Sequence, residues 1–218
     1  MAWRDLAEAR LPSGETLTLR QSGEDFEIRL DLYQLMSSQN SVSERALAKI
    51  VCTRIAAPAS RVLIGGLGMG FTLRAVLDGV GPAARITVAE LVPEVVVWNQ
   101  TVLGHLAGRP LDDPRVMVAQ QDVADVIAAN PVTYDAVLMD VDNGPEAVLF
   151  AGNRFLYAVD GVALILSSLR PGGVLGLWAA TPSPDFERVL QAGGFAHERL
   201  TIAVADGLDH TLYLVRTG

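Results

Sequence analysis

One cysteine, Cys52, in 218 residues leaves no intrachain disulfide to form. Such a chain must be held by its apolar core and suits a reducing compartment. Only three histidines occur, His105, His197 and His210, and their wide separation matches no metal-site spacing, so no metal is expected. Lys and Arg number 17 against 25 Asp and Glu, a formal net charge of −8, and the cations are scattered. An acidic chain without a basic patch repels a phosphate backbone, so nucleic acid is not an expected partner. No apolar run approaches the roughly 18 residues of a membrane-spanning helix. The first residues, Met1-Ala2-Trp3-Arg4-Asp5, lack the apolar stretch and cleavage site of a secretory signal. A cytoplasmic protein without membrane partners is therefore expected.

What the chain does have is apolar content: half of its residues are hydrophobic, enough for one sizeable core. Two short alternating segments, Glu15 to Arg20 and Phe26 to Leu30, flank the turn signal Gln21-Ser22-Gly23-Glu24 and predict a β-hairpin. Ser41 with Glu44 fits a capping box for a helix whose apolar residues are Leu47, Ile50, Val51 and Ile55, stopped by Pro58. From Arg61 onward, strands alternate with helices. Strands are expected at 61–65, 85–90, 116–119, 134–140 and 174–179, with a tight turn at Pro171-Gly172-Gly173. Two last strands, 195–204 and 210–215, are joined by too few residues for a parallel crossover and must be antiparallel. The fold class is thus α/β: a doubly wound, mostly parallel sheet with a C-terminal antiparallel pair, preceded by the small hairpin. The division expected is 1–40 for the N-terminal β unit and 41–218 for the main domain. A hairpin too small to bury both faces suggests a homodimer.

The chemistry concentrates at strand ends. Strand 61–65 runs into Gly65-Gly66-Leu67-Gly68-Met69-Gly70 and then a helix. Glycines permit a sharp turn and close approach of a ligand to the backbone, and the helix N-terminus offers free N–H groups. That suits a pyrophosphate, a carboxylate or a ribose equally, and also a plain tight turn. Glu90 ends the next strand about twenty residues on, where a carboxylate can accept from both hydroxyls of an adenosine ribose. Its bland alternative is an exposed strand-end glutamate. Asp122 follows the third strand and can receive an adenine amino group, cap the next helix, or both. Asp140 ends the fourth strand, with Asp142 two residues later. In this topology the first and fourth strands are neighbours at the switch point, so both carboxylates should face the glycine loop. There they can offset a sulfonium charge, hold a cationic amine or take its proton. Capping of the loop before Gly144-Pro145 is the alternative. His210, Cys52 and Trp178 are read as structural.

The run Val62-Leu63-Ile64-Gly65-Gly66-Leu67-Gly68-Met69-Gly70, with Val88-Ala89-Glu90-Leu91-Val92-Pro93, Asp113-Pro114-Arg115-Val116 and Tyr134-Asp135-Ala136-Val137-Leu138-Met139-Asp140, resembles spermidine synthase (aminopropyltransferase). Leu30-Asp31 with Gln34 looks like the end of that family's N-terminal β unit. The family lies within the class I S-adenosylmethionine-dependent methyltransferase superfamily. The resemblance covers roughly residues 15 to 180. It implies a cofactor, S-adenosylmethionine or its decarboxylated form, held by Gly65, Gly66, Gly68 and Gly70. It further implies that Glu90 takes the ribose, Asp122 the adenine and Asp140 the reacting or bound amine, with Gln34 bordering the pocket. The family carries an aspartate where this chain has Gly68, and that carboxylate helps hold the amino group of the transferred chain. The function expected is therefore methyl transfer to a small-molecule acceptor. The alternatives are aminopropyl transfer to a diamine, a non-catalytic adenosine-cofactor binder and a nicotinamide-dependent oxidoreductase.

Overall fold

A computed structural model describes residues 2–11, 14–55, 60–204 and 209–217. Pro58 and most of the link between the last two strands lie outside them. The N-terminal unit is larger than the expected hairpin. Strands β1 (Arg4–Arg10), β2 (Thr16–Ser22), β3 (Asp25–Leu30) and β4 (Tyr33–Ser37) form a four-stranded antiparallel sheet in chain order. The β2–β3 hairpin is the one the alternation predicts. The outer strands escape sequence reading for a physical reason. Pairing shifts between Asp5 and Ala7 on β1 and between Ile28 and Arg29 opposite β4, and each shift breaks the two-residue period. One face of this sheet is buried within the chain. Leu17, Leu19 and Ile28 share a single apolar cluster with Leu47, Val62 and Leu212 of the main domain. The β unit is thus a four-stranded sheet with one face packed on the main domain rather than a lone hairpin.

The main sheet holds β5 (Arg61–Gly65), β6 (Arg85–Ala89), β7 (Val116–Ala119), β8 (Tyr134–Met139), β9 (Leu169–Ala179), β10 (His197–Ile202) and β11 (His210–Arg216). Its order is β10-β11-β9-β8-β5-β6-β7. The pairs among β5 to β9 are parallel, and β11 joins β9 and β10 antiparallel, as the short final link requires. Strand order reverses between β5 and β8, so the glycine loop and Asp140 leave the sheet side by side. The expected Pro171-Gly172-Gly173 turn is absorbed into β9 as an irregularity: pairing with β8 jumps from Leu169 to Val174.

Helices cover both faces because the central strands are apolar on both. Val62 and Ile64 of β5 pack into one cluster and Leu63 into the other. On the first face lie α1 (Val42–Cys52), α2 (Phe71–Gly79) and α3 (Pro93–Gln100). On the second lie α4 (Val123–Ala128), α5 (Val159–Ser167) and α6 (Pro184–Ala192). Helix α3 ends at Gln100 and is followed by a 3₁₀ turn at Gly104–Ala107, and α5 is preceded by one at Ala151–Tyr157. Among the described residues no helix is long and apolar enough to cross a membrane.

Helix α1 is anchored by its apolar stripe. Leu47, Ala48 and Val51 are fully buried against the sheet, and burial of each larger side chain contributes about 1.5–3 kcal/mol. Gly176 of β9 makes room for them: a Cβ there would stand 2.5 Å from Val51 Cγ2 and 2.9 Å from Leu47 Cδ1. Gly176→Ala should therefore overpack this contact, cost about 1–3 kcal/mol and lower the melting temperature by several degrees in a thermal scan. Cys52, at the end of α1, is buried, and that burial pushes its thiol up to about 11. It should resist thiol reagents in the native protein and react fully once denaturant unfolds the chain.

Candidate active site

The glycine loop closes over three strand ends. The Asp140 N–H donates to the Gly65 carbonyl at 2.9 Å, and the Gly66 N–H donates to the Ala89 carbonyl at 2.9 Å. Gly66 has φ +88°, and a Cβ on it would collide with the Asp140 carbonyl oxygen, so only glycine fits. Gly70 begins α2 with φ +80°. A pocket opens at this switch point. Gly66, Gly68, Glu90, Asp122, Asp140 and Asp142 line it, whereas Gly65 and Gly70 shape the loop without lining it. Apolar walls come from Leu91, Val92, Val95 and Val123, and Leu17, Ile28, Leu35 and Met36 of the N-terminal sheet complete it.

Glu90 is buried, and its carboxylate holds the loop. Oε2 accepts from the Leu67 N–H at 2.9 Å and Oε1 from the Val92 N–H at 2.8 Å. Burial raises its pKa, opposed by these N–H groups and that of Leu91. Each oxygen keeps a second lone pair for a ligand hydroxyl. The exposed-glutamate alternative is therefore wrong. Asp122 takes the capping role weighed for it, its Oδ1 accepting from the Ala124 N–H at 2.8 Å, and its side chain also lines the pocket. Its other oxygen has no protein partner among the described residues.

Asp140 accepts from the Thr72 hydroxyl at 2.6 Å. Desolvation by burial, and then the negative charge of Glu44, push its carboxyl up to about 7, with the Thr72 hydrogen bond pulling the other way. Asp142, the second expected catalytic carboxylate, is organised differently. It sits at φ +53°, and its oxygens accept from the Phe150 N–H at 3.1 Å and Asn153 Nδ2 at 2.8 Å. Desolvation raises its pKa, and those donors lower it. Both oxygens are engaged in fixing the loop after β8, the capping role weighed for it. Gln34 is exposed and does not line the pocket; Leu35 and Met36 do so instead. Its link to the site is a backbone one, its carbonyl accepting from Asn143 Nδ2 at 3.4 Å. Met36 lies against Gly68, where a Cβ would collide with its terminal methyl.

Two lining residues carry no plain sequence signal of a site. Trp178, at the end of β9, is buried in the pocket wall, and its indole nitrogen has no hydrogen-bond partner among the described residues. Glu44 fits the capping-box pattern but makes no such box. The Ser41 side chain makes no cap, accepting instead from Arg45 Nε, while Glu44 lines the pocket. One signal does place Glu44 inward: it lies three and seven residues before Leu47 and Val51, on the buried stripe of α1. Among the described residues the pocket carries five carboxylates, Glu44, Glu90, Asp122, Asp140 and Asp142, and no Lys, Arg or His. Such a wall favours a cationic ligand. No group of described residues could hold a metal ion.

Comparisons with known proteins agree with this fold. The chain is 28% identical over 171 residues to the polyamine aminopropyltransferase of Mycobacterium tuberculosis, covering 77% of this chain and 31% of that protein. It is 35% identical over 120 residues to polyamine aminopropyltransferase 2 of Pseudomonas aeruginosa, covering 53% of this chain and 32% of that one. The matches thus span about a third of the length of these curated relatives. The structure resembles the crystal structure of spermidine synthase from Thermotoga maritima, with a TM-score of 0.78 at 16% identity. That match covers 99% of this chain and 73% of the other. The family described as "Spermine/spermidine synthase domain" matches residues 42–188, more than half of the chain. With its seven-stranded methyltransferase-type sheet and separate N-terminal sheet, the chain belongs to the spermine/spermidine synthase family.

Proposed function

We propose that this protein transfers an aminopropyl group from decarboxylated S-adenosylmethionine to an amine. The observation that carries this reading is Asp140, a carboxyl tuned to about 7 in a pocket walled by carboxylates. Family membership and the aminopropyltransferase relatives support it. Those comparisons give no support to the expected methyl transfer and favour its alternative.

In this reading the adenosine lies along the glycine loop, with Glu90 accepting from the ribose hydroxyls and the free oxygen of Asp122 accepting from the adenine amino group. Gly66 and Gly68 let the donor approach the backbone. Gln34 acts only through its backbone, behind the wall that Leu35 and Met36 form. The acceptor amine nitrogen forms a bond to the aminopropyl carbon attached to sulfur. The carbon–sulfur bond breaks, its electron pair stays on sulfur, and neutral methylthioadenosine leaves. Attack needs the nitrogen lone pair, so the acceptor first gives one ammonium proton to Asp140, and the secondary amine formed leaves as its cation. An alkyl ammonium has a pKa of about 10, so the amine arrives mostly as a cation, which carboxylates attract. Asp142 holds the Asp140 loop through Phe150 and Asn153 rather than meeting the amine.

Incubation with each donor and an amine distinguishes the reactions. Aminopropyl transfer yields methylthioadenosine from the decarboxylated donor and a diamine; S-adenosylhomocysteine formed from S-adenosylmethionine would overturn the proposal. Asp140→Asn should lower kcat by about 10²–10⁴-fold, the usual worth of a general base. The base form of Asp140 is populated above its raised pKa. The profile of kcat/KM should therefore rise with pH through about 7 and fall away below it. Glu90→Gln would turn an amide N–H₂ towards one of the two backbone N–H groups. Calorimetric binding of methylthioadenosine should weaken by about tenfold or more, as expected when one charge-assisted hydrogen bond is lost.

A further inference from the structure

Helix α1 brings to the pocket a carboxylate with its own supporting chain of hydrogen bonds. The Ser43 hydroxyl, fully buried, lies 2.6 Å from Glu44 Oε2 and 2.7 Å from His210 Nδ1. A carboxylate only accepts, so the single hydroxyl proton of Ser43 goes to Glu44. His210 must then carry its proton on Nδ1 and donate it to Ser43. The His210 ring packs in turn edge-to-face with Trp178, at a centroid distance of 5.0 Å and an interplanar angle of 83°. Burial lowers the pKa of His210, opposed by the charges of Glu44 and Asp209; its pair on β10, Ile202, carries no charge. The next residue's charge is turned away: the Arg45 guanidinium stacks over Phe71, and its Nε donates to Ser41.

The carboxylates of the pocket then fall into two groups. The two oxygens of Glu90, and likewise those of Asp142, are held by protein donors. The others each leave one oxygen without a partner among the described residues: Asp122, which caps α4 with its Oδ1, and the pair Glu44 and Asp140, whose open oxygens are Oε1 and Oδ1. Glu44 and Asp140 lie close enough for the charge of the first to act on the second, and among the described residues no cation lines the pocket to balance the pair.

We infer that Glu44 is a second ammonium-binding carboxylate, acting beside Asp140 on a substrate's primary amine, and that Ser43 and His210 are its positioning residues. An ammonium has three donors and no acceptor, which matches two carboxylates each with an open oxygen. The inference rests on the aminopropyl-transfer reading, in which two ammonium groups enter the pocket: the donor's aminopropyl end and the acceptor.

Two binding arms distinguish these sources and need no turnover. In the first, decarboxylated S-adenosylmethionine and methylthioadenosine, which lacks the ammonium, are titrated calorimetrically into wild-type protein and Glu44→Gln. In the second, the linear diamine putrescine is titrated in the presence of methylthioadenosine. Glu44→Gln should weaken the ammonium-bearing ligand of one arm by about tenfold or more, while methylthioadenosine keeps its wild-type affinity. Loss in the first arm assigns the donor's ammonium, and loss in the second the acceptor's. If wild-type turnover is absent but the amine still binds and Glu44→Gln abolishes that binding, the transfer reading fails and the assignment of Glu44 stands. Amine affinities unchanged in both arms, in a variant with wild-type melting temperature, overturn the inference. So does equal weakening of methylthioadenosine.

The positioning role has its own readout. His210→Phe should weaken the same ligand as Glu44→Gln. His210→Asn, whose side-chain amide can still donate to Ser43, should restore much of the loss; equal loss in both variants would refute the role of the Nδ1 hydrogen. In an active enzyme, removing the charge of Glu44 should also lower the pH at which the acidic limb of kcat/KM falls, because a negative neighbour no longer raises Asp140.

Discussion

The site depends on one close contact between two strand ends. Strands β5 and β8 are neighbours at the point where the sheet order reverses, and the chain after β5 lies directly on the backbone of Asp140. A side chain at Gly66 would strike the Asp140 carbonyl oxygen. With glycine there, the loop packs down, Gly65 and Gly66 bond to Asp140 and Ala89, and Leu67 presents its N–H to Glu90. The backbone geometry of one turn thereby sets the positions of two carboxylates, Glu90 and Asp140, in the wall of the same cavity.

A pocket walled by carboxylates is costly to build, because each buried charge loses hydration. The fold offsets that cost unevenly. Glu90, Asp122 and Asp142 accept hydrogen bonds from backbone N–H groups or from Asn153, which fixes the loops they belong to. Asp140 and Glu44 receive one hydroxyl each, from Thr72 and Ser43. Burial, and then the charge of Glu44, hold the carboxyl of Asp140 near 7 against the single hydrogen bond from Thr72. The N-terminal sheet adds to this by lining the pocket with Leu17, Ile28, Leu35 and Met36, apolar groups that lower the local dielectric.

Most of the main sheet is legible because each strand is a short apolar run bounded by turn residues, and because a short final link forbids a parallel crossover. The glycine loop, Glu90, Asp122 and Asp140 are legible for a related reason: they sit at strand ends, and the topology sends those ends to one edge. Legibility stops where periodicity stops. Strands β1 and β4 pair through register shifts, so alternation fails as a guide. Resemblance puts Gln34 at the pocket, yet β4 directs Leu35 and Met36 there.

By itself, the sequence determined the fold class, the order of the strands that carry the site and the acidic character of its ligand-facing positions, because these follow from local patterns and fixed topology. Only the tertiary structure decided which carboxylates are free to meet a ligand. Asp142 and Asp140 look alike along the chain, two residues apart, but Phe150 and Asn153 fold back onto the first and only Thr72 onto the second. Glu44 reads as a helix cap until β11 brings His210 across 167 residues of chain to Ser43, and β9 brings Trp178 beside it. The buried stripe of α1 turns Glu44 inward, but what it meets there rests on contacts between residues far apart in sequence.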